Sequence, residues 1–153
     1  MRKLKDTQRR SACPISFGLD IFGDKWTLLI LRDILFYNRT RFSDFAPQER
    51  IATNVLANRL AKLEKAGLIT KRRDEKLKNQ FIYSATRTGK SLIPTLIELT
   101  LWGFETDPQT PVSELFIKRV QTEKSKVIRE MIRAVHRRSF LKYRQAKMGI
   151  SLP

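Results

Sequence analysis

The chain has 153 residues, with 31 Lys or Arg against 15 Asp or Glu and a formal net charge of +16 at neutral pH. A hydrophobic fraction of 41% supports a real core, and this length suits one domain plus a modest appendage. The charge points to a polyanionic partner, nucleic acid or membrane surface. No apolar run approaches the roughly 20 residues needed to span a bilayer. The basic start lacks the apolar stretch of a secretory signal, and the single cysteine leaves no internal disulfide. A cytosolic protein is therefore expected, without cofactor or metal.

Residues 1–12 form a basic polar arm. Pro14 suits the first turn of a helix carrying Ile15, Leu19 and Phe22 on one face and stopped by Gly23. Asp24 can cap the next helix, residues 25–36, which is apolar nearly all round and so expected to be buried on several sides. Residues 39–41 break that run. Phe42 and Phe45 then mark a short helix over residues 41–46, ended by Pro47, and residues 48–51 connect it to the following helix. That helix runs from 53 to 66, with Thr53 as N-cap and Leu56, Leu60 and Leu63 as its apolar seam. Gly67 stands where a helix-terminating glycine belongs, with Leu68 placed to pack back on Leu63.

The face opposite that seam carries Thr53, Asn54, Asn58, Lys62 and Lys65, donors and acceptors rather than core. Two short strands follow, flanking a loop with Lys71, Arg72, Arg73, Lys76 and Lys78. Only Asp74 and Glu75 oppose these five cations, a local net of +3. A helix offering hydrogen-bonding side chains beside a cationic hairpin has the shape of a winged helix-turn-helix, mainly α with a small β-hairpin wing (α+β). In such a fold the helix reads base edges and the wing grips phosphate. Asn suits bidentate contact with adenine, and Thr53 can reach phosphate or a thymine methyl. Arg59 flanks the apolar seam, which fits either a phosphate contact or an ion pair with Glu64 or Asp44.

Thr86 can cap a helix with the stripe Leu92, Ile93, Leu96, Ile97, Leu99 and Leu101, in which Pro94 should produce a kink. The helix fades at residues 102–104, and residues 105–111, with two prolines, read as a linker. In the extension 112–153, Phe116, Val120, Val127, Met131 and Val135 keep near-helical spacing. The polar interval 121–126 threatens to break that helix in two. A free stripe of this kind would be unfavourable in water, so the extension is expected to pack on the dimer helices of its own or a partner subunit. Arg129, Arg133, Arg137 and Arg138 would then face outward.

With these residues in hand, the chain resembles the HxlR family of bacterial winged-helix regulators, itself akin to the MarR group. The resemblance is carried by Cys13-Pro14, Gly23-Asp24-Lys25-Trp26-Thr27, the Asn58-Arg59-Leu60, Leu63-Glu64 and Gly67-Leu68 series, and Thr86 with Gly89, over residues 13–103. Arg50 departs from a common glycine, Ala85 from a common leucine, and the extension is longer than the family's. The resemblance implies a homodimeric, sequence-specific DNA-binding regulator of transcription, with domain 13–104 making both DNA and dimer contacts. Its palindromic site would take α-helix 53–66 in the major groove and the wing on backbone or minor groove. The first and last domain helices would supply the interface, Ile15, Leu19 and Phe22 from one and Leu92, Leu96 and Leu99 from the other. A domain of about 90 residues has limited core in which to bury both faces, which also favours two copies.

Several features have plainer readings. Trp26 and Trp102 suit core or dimer packing better than stacking platforms. His136 stands alone and suits the surface rather than a metal. Cys13 is either a small residue at a helix start or a thiolate activated by the helix N-terminus and by Arg9 and Arg10. Some HxlR relatives with cysteine at the matching position sense electrophiles or oxidants, which leaves room for a small-molecule or redox effector. A non-specific DNA- or RNA-coating protein is the competing function, since residues 105–153 carry 11 Lys or Arg against 5 Asp or Glu. Catalysis has no support in any nucleophile–base set, phosphate-cradling loop or metal-ligand cluster.

Overall fold

The computed structural model describes residues 11–45, 51–75, 77, 79–107 and 109–135. Expectations for the arm through Arg10, for Pro47 and Arg50, for Lys76 and Lys78, and for His136, Arg137 and Arg138 lie outside the described residues. The elements are α1 (Pro14–Phe22), α2 (Thr27–Tyr37), a 3-10 turn (Phe42–Asp44), α3 (Thr53–Lys65), β1 (Ile69–Arg73), β2 (Phe81–Ala85), α4 (Arg87–Lys90), α5 (Ile93–Thr106) and α6 (Glu114–Ala134). Mostly helical with one antiparallel hairpin, this is a winged helix-turn-helix fold.

Asp24 starts α2 as expected: its carboxylate accepts the backbone N–H groups of Trp26 and Thr27 and the Thr27 hydroxyl. Most of α2 is buried, including Ile30, Leu31, Ile34 and Leu35. Asp33 is buried too, and its charge is matched by Arg32 at 2.7 Å and Arg39 at 2.9 Å. The helix expected over residues 41–46 is only a 3-10 turn. Its Asp44 accepts the N–H groups of Thr40 and Arg41, the two residues that lead into the turn.

α3 lays Leu56, Leu60 and Leu63 into the core. Its end is a Schellman motif: Gly67, at φ 66°, donates to Glu64 and Leu68 donates to Leu63, a left-handed position that favours glycine. Thr53 is not the N-cap. The carbonyl of Ala52 already accepts from Leu56, so Thr53 is the first helical residue and no side chain caps this end.

The hairpin pairs Ile69 with Ala85 through Arg73 with Phe81. A bridge from Arg41 to Ile82 and a bond from the Tyr83 N–H to the Thr40 carbonyl add a stub of third strand. At the wing's base the Thr86 hydroxyl accepts from Gly89 and lies 2.7 Å from the Gly67 carbonyl oxygen, to which it donates. Gly89 packs so closely there that a Cβ would run into the Leu68 carbonyl oxygen. Thr86 thus caps a helix of a single turn. The helix is interrupted by a turn at Ser91 and Leu92, and Pro94 falls in the first turn of α5, where its missing N–H costs nothing. The expected kink is absent because the proline starts a helix instead of interrupting one. α5 also runs to Thr106, two residues into the stretch expected as linker.

α6 buries Phe116, Val120, Val127 and Met131, with Phe116 packed edge-to-face on Phe36 at 6.4 Å. The polar interval does interrupt it, at Glu123 (φ −134°, ψ 35°). Arg119 and Glu130, eleven positions apart, meet at 3.0 Å. Along a straight helix they would stand about 16.5 Å apart, beyond the reach of two side chains, so the bend brings them together. Lys124 ties the second half to Glu98 of α5 at 2.8 Å. Val135 is buried as well, while Arg129 and Arg133 are exposed. The stripe is thus covered by the chain's own α2 and α5.

Candidate nucleic-acid interface

Around α3 the side chains divide into three strips. The leucine seam is buried. Thr53, Asn54, Ala57, Asn58, Ala61 and Lys65 are exposed. The third strip turns away from that face: Arg59 Nε lies 2.9 Å from one Asp24 oxygen and Lys62 Nζ lies 3.5 Å from the other. Asp24, across the α1–α2 turn, is therefore the partner of Arg59, in place of Glu64 or Asp44, and Lys62 shares it rather than standing free on the outer face. Burial pushes the Asp24 carboxyl up, but hydrogen bonds from Thr27, Trp26 and Arg59 outweigh it and hold the pKa at about 2.

Lys71, Arg72 and Arg73 are exposed along β1. The Lys71 ammonium sits 4.1 Å from the centre of the Phe81 ring, a cation–π contact. Arg72 lies 4.0 Å from Glu75, which is almost fully exposed, so that pair screens little of the charge. Asp74 behaves otherwise. It is buried, meets Arg41 Nη2 at 2.7 Å, and accepts the Leu77 N–H. Local pattern gave it only as a counter-charge. The signal available was an acid directly at the end of β1, where the strand's cations give way to the tip.

Between α3 and the wing lies an open cavity of about 510 Å³, lined by Arg41, Ser43, Ala57, Glu64, Lys71 and Tyr83 among others. Burial, and less so the Glu64 carboxylate, push the Tyr83 phenol up. Ala57 and Ala61 were absent from the expected outer face, which held Lys65 as it does here. The two alanines keep this side of α3 low, allowing close approach of a groove, and apolar contact to a thymine methyl is within alanine's repertoire.

Of the expected dimer positions, Ile15, Leu19 and Leu99 are exposed, at 74, 54 and 45%, while Phe22 and Leu92 are half-buried. Leu96 is buried in the chain's own core, on the inner side of α5. Trp102, expected in core or dimer packing, is 65% exposed and so no part of this chain's core. Trp26 is half-buried beneath the Lys25 ammonium. Cys13 is exposed at the N-cap of α1. No cluster of metal-ligating side chains occurs among the described residues.

The HTH-type transcriptional regulator YybR of Bacillus subtilis (strain 168) is 30% identical over 101 residues, covering 61% of this chain and 75% of its own. The crystal structure of PA1607, described as a transcription factor, superposes with a TM-score of 0.61 at 31% identity, covering 69% of this chain and 78% of its own. The redox regulator HypR in its oxidized form superposes at 0.55 with 26% identity, over 62% of this chain and 98% of its own. The family model for the HxlR-like helix-turn-helix matches residues 21–110. The chain belongs to that family and is a transcriptional regulator of helix-turn-helix type.

Proposed function

We propose that the protein binds a palindromic operator as a homodimer, with α3 in the major groove and the wing on the backbone or minor groove. One observation carries this reading: the exposed, hydrogen-bonding side of α3, with Asn54 and Asn58, lies beside the exposed Lys71–Arg73 strand. Base-reading amides next to phosphate-gripping cations divide the labour between specificity and affinity. The start of α3, where the N-cap residue Ala52 supplies no side-chain acceptor, adds the positive end of the helix to this face, which suits phosphate. Exposed Ile15 and Leu19 on α1 and Leu99 and Trp102 on α5 supply apolar surface for a second copy. Two copies set two recognition helices about one DNA turn, or a multiple, apart.

The test is a footprint on the DNA upstream of the protein's own gene, followed by titration of the protected site and of random DNA at fixed salt. Asn54→Ala and Asn58→Ala should erase the preference for the site, each losing about 1–3 kcal/mol of discrimination. Lys71→Ala should weaken both DNAs alike and flatten the salt slope by about 0.9. A near-unity ratio for the unaltered protein would instead favour the coating role.

The exposed thiol of Cys13, on the same short helix as Ile15 and Leu19, supports a second layer of function: oxidant control through a sulfenic acid, a mixed disulfide or a Cys13–Cys13 bridge between subunits. Operator release by peroxide in the unaltered protein, and none in Cys13→Ser, is the expected result.

A further inference from the structure

Asp24 stands at the junction of three elements. It follows the last turn of α1 and Gly23 in the chain, and its carboxylate holds the Trp26 and Thr27 amides at 3.0 Å each and the Thr27 hydroxyl at 2.7 Å at the start of α2. The same two oxygens face Arg59 Nε at 2.9 Å and Lys62 Nζ at 3.5 Å on α3. The side chain of Asp24 is 20% exposed and that of Arg59 31%, so the cluster is partly shielded from water, where an ion pair is screened less than at the open surface. Arg59 and Lys62 leave α3 on the flank opposite the wing, and the leucine seam lies between. An apolar seam resists separation but tolerates rolling about the helix axis. Two ion pairs to one carboxylate on one flank oppose that roll, because turning α3 either way lengthens them.

We propose that Asp24 is a positioning residue for operator recognition. It locks the roll of α3 against the α1–α2 turn and so ties the direction of Asn54 and Asn58 to the helix that carries Ile15 and Leu19. This rests on the proposed dimeric operator-binding reading. Because α1 belongs to the surface offered to the second copy, the lock relays the geometry of the pair to each recognition helix, and the separation of the two half-sites becomes a property that Asp24 helps select. The lock also withholds two cations of α3 from phosphate. Its removal therefore has opposite effects on the two kinds of DNA, which a loss of folding cannot mimic.

The experiment uses the full chain and Asp24→Asn, which keeps an oxygen for the Trp26 and Thr27 amides but loses the charge. Titrations are made against the footprinted operator, against versions with the half-site spacing lengthened or shortened by one base pair, and against random DNA. Asp24→Asn should bind the operator at least tenfold more weakly and discriminate between spacings less than threefold. It should bind random DNA as well or better, with a salt slope steeper by up to about 1.8 as two released cations reach phosphate. Arg59→Gln, which leaves the α2 cap intact, should also lose the spacing preference. Retained operator affinity and spacing preference in Asp24→Asn would reduce Asp24 to a helix cap. A parallel fall on all DNAs with a lower melting temperature would make its role purely structural. Should the unaltered protein prefer no operator, the dimeric reading fails, and the lock is judged by nitroxide labels at Cys13 and Asn54→Cys in protein diluted with unlabelled chains. A distance distribution that broadens with Asp24→Asn sustains the lock, and an unchanged one overturns it.

Discussion

The face of α1 and the stripe of α6 are written in the same apolar spacing and finish in opposite surroundings. Ile15 and Leu19 are 74% and 54% exposed, whereas Phe116, Val120 and Met131 are at 2% or below. A helical apolar period marks a face in need of cover but does not say which body supplies it. α6 finds its cover within the chain because the break at Glu123 lets two short segments settle against α2 and α5, where one straight rod would overshoot. α1 has nine residues, buries Ile21 and packs Phe17 and Phe22 against the core only in part, so its outer side has no cover among the described residues. The extension thus belongs to the fold of the chain, while the outer side of the first helix stays open.

The largest effect that would break this contrast is on the α6 side. Phe116→Ala should destabilise the chain by about 3–5 kcal/mol in denaturant unfolding, the usual cost of emptying a buried aromatic site. A loss below about 1 kcal/mol would mean that the stripe is not core. Next, Leu19→Asp should change the stability of the isolated subunit by less than about 0.5 kcal/mol, as an exposed substitution does, yet shift sedimentation at low micromolar concentration from dimer to monomer. An unaltered dimer would remove α1 from the interface. The smallest effect sharpens the contrast by pH. Asp24 has a folded pKa of about 2 against an ordinary 3.8, so its stabilisation is complete above about pH 5 and fades as pH falls through 4 towards 2. The melting-temperature difference between the unaltered protein and Asp24→Asn should narrow over that range. The gap for Phe116→Ala, which involves no titrating group, should persist wherever the protein stays folded.

Much of this was legible because it is local. The leucine seam of α3, the Gly67 terminator, the Thr86 cap, the hairpin and the interruption of α6 each depend on residues within a few positions of one another. What escaped depends on pairs far apart in the chain. Nothing near Arg59 announces that its partner is Asp24, because an ion pair is set by where two backbones cross. The same holds for Arg41 and Asp74, 33 positions apart. Pro94 was misread for a subtler reason. A proline disrupts a helix interior and favours a helix start, and joining the Thr86 cap to the stripe from Leu92 to Leu101 as one helix hid the break between α4 and α5. In the candidate site, the outward asparagines and the β1 cations were visible from the pattern. The diversion of Arg59 and Lys62 to Asp24 was not.

The Arg41–Asp74 pair fastens the outer end of the wing to the helix-turn-helix, as Thr86 fastens its base. A two-stranded hairpin left to itself is marginal in water, and a ligand that had to straighten one would forfeit about 1–2 kcal/mol for each backbone residue it ordered. Here that entropy is surrendered when the chain folds, before any polyanion arrives. In the proposed complex, Lys71, Arg72 and Arg73 would therefore meet phosphate on a backbone that is already set. Their attraction can go into holding the nucleic acid instead of organising the protein, and the first encounter need not wait for a segment to find its shape.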